Sequence, residues 1–185
     1  MTIDWKNAED TLVQKSTVLI EEFAHSHPDL RVSFFAFGAD YFYGDIAVAF
    51  DTPDNTCSQA VSWVGQVVEA RTTLSAPNGW EHARYTLTKN RILEYPPSSG
   101  LFKYESYSVI SFPEWEDYFG SDEIPGHPDP KGHVLVLLWK VLERLVERQA
   151  FDCLRQASPF RIGFDLADDD LGLVIVRMFN WTGPS

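Results

Sequence analysis

The sequence predicts a single α+β domain over residues 1–185, with a largely antiparallel sheet built from an N-terminal and a C-terminal hairpin and packed by helices. Three observations predict it. Strand-like alternation clusters near the two ends, at 31–50 and 161–179. Helical periodicity fills 4–23 and 133–151 and recurs after 56. Hydrophobic residues make up 44% of the chain and aromatics 14%, enough for a buried core. Strands gathered at the ends, with helices between them, argue for α+β rather than alternating β-α-β units.

The first helix runs from Asp4 to about Phe23. Leu12, Ser16, Leu19, Ile20 and Phe23 share one face, and Asp4 is placed to accept from the free N–H groups of the first turn. His27-Pro28 ends it, because the residue before proline is pushed out of helical conformation. Arg31 to Phe37 reads as a strand that is apolar on both faces, with Val32, Phe34 and Ala36 on one and Ser33, Phe35 and Phe37 on the other, hence central and covered twice. Gly38 to Asp45 is the turn, and Ile46 to Phe50 returns as the second strand. Thr56-Cys57-Ser58-Gln59 matches a capping box and opens a helix with Cys57, Ala60, Val61, Val64 and Val68 inside.

From Thr72 to Phe119 the pattern is irregular, with helical pieces predicted near 80–90 and 113–119. Ser121 to Gly132 reads as a loop. His133 to Phe151 is the clearest helix: Val134, Leu137, Leu138, Val141, Leu142 and Leu145 form its stripe, and Lys140–Glu143 and Arg144–Glu147 form i,i+3 pairs. In the closing hairpin Ile162, Phe164 and Leu166 alternate with Arg161, Gly163 and Asp165. Asp168-Asp169-Asp170 lies in its turn, and 171–179 returns.

Charge narrows the function. Asp and Glu number 27 against 15 Lys and Arg, a net charge of −12. That balance repels nucleic-acid phosphates and favours encounter with a basic partner. No apolar run approaches the roughly 20 residues of a membrane helix, and the first residues lack the layout of a secretory signal, so the expected location is cytoplasmic. Cys57 and Cys153 fall in apolar periodic segments and read as reduced core thiols. His25, His27, His127 and His133 match no zinc pattern, so neither a metal nor another cofactor is expected. Nucleophile-elbow and phosphate-loop motifs are absent, so no catalytic residue is assigned.

Two stretches combine large aromatics with acids: Asp40-Tyr41-Phe42-Tyr43-Gly44-Asp45, and 112–123, which contains Phe112, Glu114, Trp115, Glu116, Asp117, Asp122 and Glu123. Aromatic anchors inside a charged rim are what protein-recognition patches use. The candidate partner-binding residues are therefore Tyr41, Tyr43, Asp45, Glu114, Trp115, Glu116, Asp117, Asp122 and Glu123. The competing reading folds Trp115, Phe119 and Phe42 back as lids on the core.

Three short features carry a resemblance. They are Phe34-Phe35-Ala36-Phe37-Gly38 followed by its Tyr/Asp/Gly-rich turn, then Trp80-Glu81-His82, and finally the hairpin of Phe164-Asp165 with Val174-Ile175-Val176-Arg177. Together they resemble bacterial domain-of-unknown-function family 4303. Members occur in polymorphic-toxin and contact-dependent inhibition loci and are regarded as immunity proteins. The resemblance implies a small cytoplasmic protein that neutralises a cognate toxin domain by binding it, and it brings no catalytic residues. Two other readings stay open: an enzyme whose site assembles from residues such as Glu81, His82 and Arg84, and a self-associating scaffold using Trp63, Val67 and Trp139.

Overall fold

The computed structural model describes residues 3–59, 98–119, 130–167 and 173–179. Their order is α1 (Trp5–Ser26), β1 (Val32–Asp40), β2 (Asp45–Asp51), a helical run at 53–59, a 3-10 turn (Ser99–Leu101), β3 (Tyr104–Ser111), α2 (Glu114–Phe119), α3 (Pro130–Glu147), β4 (Gln156–Leu166) and β5 (Val174–Phe179). The five strands form one sheet in the order β3-β2-β1-β4-β5. The fold is α+β, and the sheet is mostly antiparallel, as the sequence predicts. The two hairpins join through β1 and β4, which pair in parallel. These are the two strands buried most continuously, so their backbones meet at the centre of the sheet, where neither is left on an edge.

α1 starts where its cap places it: Asp4 accepts from the Asn7 N–H at 3.0 Å. It ends one turn beyond Phe23, where the His27 N–H closes onto the Phe23 carbonyl at 2.9 Å. α1 and α3 lie on one face of the sheet. There Leu12, Val13, Ile20 and Phe23 from α1 meet Leu138, Val141, Leu142 and Leu145 from α3, over Phe35, Phe37, Phe50, Ile162 and Phe164. Each such side chain is worth about 1.5–3 kcal/mol of burial. Phe23 and Phe50 stack with centroids 3.9 Å apart, locking helix to sheet.

The charged residues of α3 look outward to other elements rather than along their own helix. Arg144 donates to Glu9 at 2.5 Å and Asp10 at 2.7 Å on α1, and Glu143 accepts from Arg177 of β5 at 2.9 Å. The expected i,i+3 pairing gives way because packing brings these partners closer.

The second face carries Phe34, Ala36, Ala49, Phe102 and Leu173, with a polar layer among them. Asp165 of β4 is buried and accepts from Ser98 Oγ (2.9 Å), the Ser99 N–H (2.7 Å) and Ser99 Oγ (2.6 Å). Asp51 of β2 is buried as well and accepts from Asn55 Nδ2 (2.7 Å), Thr56 Oγ1 (2.5 Å) and the Lys103 N–H (3.2 Å). The two carboxylates therefore hold segment 98–103 at both its ends. Gly38 of β1 makes the room: a Cβ there would stand 2.5 Å from Ser99 Oγ.

Several expectations change. Val32 belongs to the Phe35 face rather than the Phe34 face, because a bulge between Val32 and Phe34 resets the alternation. The helical run begins at Pro53, behind Thr52, whose oxygen accepts from the Asn55 N–H at 3.4 Å. Proline suits a first helical position, and Thr56 is inside the helix, bonded to Asp51 and Ser33. α3 starts at Pro130, within the predicted loop, and ends at Glu147, before Phe151. β3 is a strand in a stretch read as irregular. Cys57 and Cys153 are exposed rather than core residues. Even so, the Cys153 thiol donates to the Ala150 carbonyl at 3.4 Å, and partial burial pushes its pKa up. The predicted helix at 80–90, the inner stripe from Ala60 onward and the 168–170 turn lie outside the described residues.

Two outcomes follow. Gly38→Ala should cost about 1–3 kcal/mol in urea unfolding, and Ser99→Ala should cost about 1 kcal/mol. The double variant should lose clearly less than the sum, because Ser99→Ala removes the clashing oxygen; strict additivity would place Ser99 elsewhere. Asp10 has its pKa lowered by hydrogen bonds from Lys6 and then Arg144. Its contribution is thus present above the ordinary carboxylate range and lost as pH falls through the lowered value. Arg144→Gln should therefore lower Tm at pH 7 and converge toward wild type as pH falls through the lowered value; a deficit that stays constant with pH would refute the assignment.

Candidate protein-interaction surface

The two aromatic-acidic stretches of the sequence meet at one end of the sheet. β1 and β2 are joined by Tyr41-Phe42-Tyr43-Gly44, closed by the Gly44 N–H on the Tyr41 carbonyl at 3.3 Å. Gly44 is required twice over. Its φ is +72°, and a Cβ there would lie 2.1 Å from the Phe112 carbonyl oxygen. That closeness docks the turn on the β3–α2 connection: the Phe112 N–H donates to the Gly44 carbonyl at 2.8 Å, and Ser111 Oγ donates to Asp45 at 2.6 Å.

Beneath this contact stands Trp115. Its ring stacks on Phe112 at 4.8 Å and meets Trp5 at 5.5 Å and Phe119 at 6.0 Å. Tyr41 reaches the same cluster through Phe119 at 5.2 Å and stacks on Phe42 at 4.4 Å. Outside the cluster, Phe42 is 50% exposed and Tyr43 63% exposed. Glu114, Glu116 and Asp117, in the first turn of α2, are exposed on the segment that carries Trp115. Carboxylates there also favour the positive end of a helix, so part of their placement is structural.

The candidate residues thus separate. Tyr43, Glu114, Glu116 and Asp117 are exposed and available to a partner. Tyr41 is half-buried, and so is Asp45, which is bonded to Ser111. Trp115 is 0% exposed, so it anchors no partner; it is the pillar that carries the turn. Phe119 is buried too, whereas Phe42 is no core lid and joins the exposed set. Its position at the tip, beside Tyr43 and two residues before a glycine, was the signal for that. Asp122 and Glu123 lie outside the described residues.

No group of His, Cys, Asp and Glu among the described residues is arranged to hold a metal. His133 packs against the Trp5 ring at 5.4 Å, and His27 against Phe23 at 4.7 Å. Glu81, His82, Arg84, Trp63, Val67 and His127 lie outside the described residues, while Trp139 is 45% exposed on α3. No helix among the described residues is long and apolar enough to cross a membrane. No family model, curated protein or solved structure matches the chain.

Trp115→Ala should cost about 3–5 kcal/mol in denaturant unfolding, whereas Phe42→Ser should change stability by less than about 0.5 kcal/mol. A large loss from Phe42→Ser would return that ring to the core.

Proposed function

We propose that this chain is an acidic immunity protein that neutralises a cognate bacterial toxin domain by direct, non-covalent binding in the cytoplasm. One observation carries the reading. Segments 66 residues apart in sequence, represented by Asp45 and Ser111, are tied together, and around them are exposed two large aromatics and three carboxylates. Exposed Phe42 and Tyr43 supply apolar contact area of the kind that dominates interface energy. Glu114, Glu116 and Asp117 supply a rim of charge whose sign matches the chain's net −12.

The mechanism follows from charge and coverage. A toxin domain with a basic active site, such as that of a nuclease, is drawn in by long-range attraction and discriminated from acidic neighbours by repulsion. Once docked, the aromatic tip excludes substrate from that site. The chain has no chemical step of its own in this role.

The test is calorimetry against the C-terminal domain encoded immediately upstream, at two salt concentrations. Binding should weaken with salt. Changing Glu114, Glu116 and Asp117 together to Lys should weaken it more than tenfold with an unchanged melting curve. A folded upstream domain that does not bind rules out the proposal, and unchanged affinity of the triple variant moves the interface elsewhere.

A further inference from the structure

We infer that the free edge of β3 is a strand-addition site for an extended, basic segment of a partner protein. This inference deepens the binding reading above and rests on it for the partner's identity, but not for its test.

Among the described residues the sheet ends at β3, which is bonded to β2 alone. Register gives the direction of its backbone groups. The Phe112 N–H bonds the Gly44 carbonyl, and alternation from there places Ile110 and Ser108 in the pairs bonded to β2. The N–H and C=O of Val109 and Ser111 therefore point away from the sheet. Among the described residues no turn, loop or cap bond takes them up. Unpaired edges of this kind are templates for another strand, and proteins blunt them with lysine, proline or bulges. β3 has no Lys, Arg or Pro, and its last six residues, Ser106 to Ser111, carry no charge. Its irregularity, between Val48 and Phe50 of the facing strand, leaves the stretch Ser108–Ser111 in continuous register. The opposite edge, β5, is better guarded, since Arg177 sits on it in an ion pair with Glu143 of α3.

The side chains add a choice of occupant. Val109 is 48% exposed, a ready apolar contact for a facing residue. Exposed Glu105 lies at one end of the open stretch, and Glu114, Glu116 and Asp117 follow its other end. Carboxylates at both ends favour an incoming strand that carries Lys or Arg, and they oppose a second copy of this −12 chain. In strand addition, main-chain bonds give affinity and alternate side chains give specificity.

The probe is a synthetic eight-residue peptide alternating Lys with Val, titrated into the full chain and followed through backbone amide signals. Saturable shifts centred on Val109 and Ser111 are expected. A peptide with Glu in place of Lys should bind at least tenfold more weakly. Val109→Pro removes an outward N–H and leaves the β2 bonds in place, a substitution that edge strands tolerate; it should abolish the Ser111 shift. Val109→Lys keeps the N–H and adds a repelling charge, so it should weaken binding severalfold with the fold intact. Shifts that spare β3, equal binding of both peptides, or self-association through β3 would each overturn the inference. If the upstream domain fails in calorimetry while the Lys peptide binds here, the toxin reading falls and the edge site stands. The converse result removes the edge site alone.

Discussion

The whole arrangement depends on β1 being apolar on both sides. Phe35 and Phe37 project to one face and Phe34 and Ala36 to the other, all of them buried. A strand of this composition is stable only in the middle of a sheet with cover above and below. β2 and β4 satisfy its backbone, α1 and α3 cover the first face, and segment 98–103 covers part of the second. The turn at Tyr41–Gly44 inherits its position from this central strand. So does the surface built around that turn, because β1 cannot shift without exposing a phenylalanine.

The cover on the second face is held by polar bonds set among few apolar side chains. Asp165 and Asp51 stand on β4 and β2, on either side of β1, and each carboxylate has its oxygens taken up by donors from Ser98, Ser99, Thr56, Asn55 or Lys103. A buried carboxylate is costly unless its acceptor capacity is filled. Here it is filled from within the chain, so these two acids act as clamps on segment 98–103. An acid–base pair waiting for substrate would keep an oxygen directed at open space. Their bonds also fix geometry. Gly38 must stay small for Ser99 to lie flat on β1, which couples the choice of residue in the central strand to a turn 61 positions later.

Local signals in the sequence were strong where one period ran unbroken. The Asp4 cap, the stripe of α3 and the Ile162–Leu166 alternation are all found in the structure as read. β3 escaped because its irregular register breaks that period. Tyr104, Tyr107 and Ile110 pack on the same core at spacings of three, which no strand template matches. The parallel pairing of β1 with β4 is also silent in sequence, since it joins residues more than 120 positions apart with no turn to announce it. For the surface, composition named the two stretches but not their meeting. Nor could it tell which aromatics face out: Trp115 and Tyr43 read alike, yet one is fully buried and the other is mostly exposed. Only the ring partners Phe112 and Trp5 decide that, and Trp5 comes from the far end of the chain.

The charge distribution has a cost that bears on function. A net −12 on 185 residues is self-repulsive and contributes nothing to the core. Cations are therefore placed where they offset it locally: Arg144 between Glu9 and Asp10, Lys6 on Asp10, and Arg177 on Glu143. The Arg144 pairs join α1 to α3, the Arg177 pair joins α3 to β5, and the Lys6 pair lies within α1. Among the described residues no ion pair takes up Glu114, Glu116 or Asp117, although neutralising acids so close in sequence would favour stability. Under the proposed function, the acids of α2 are the ones kept for a basic partner, while those of α1 and α3 are offset within the chain. In that proposed role the self-repulsion of the free protein is exchanged for attraction to the partner.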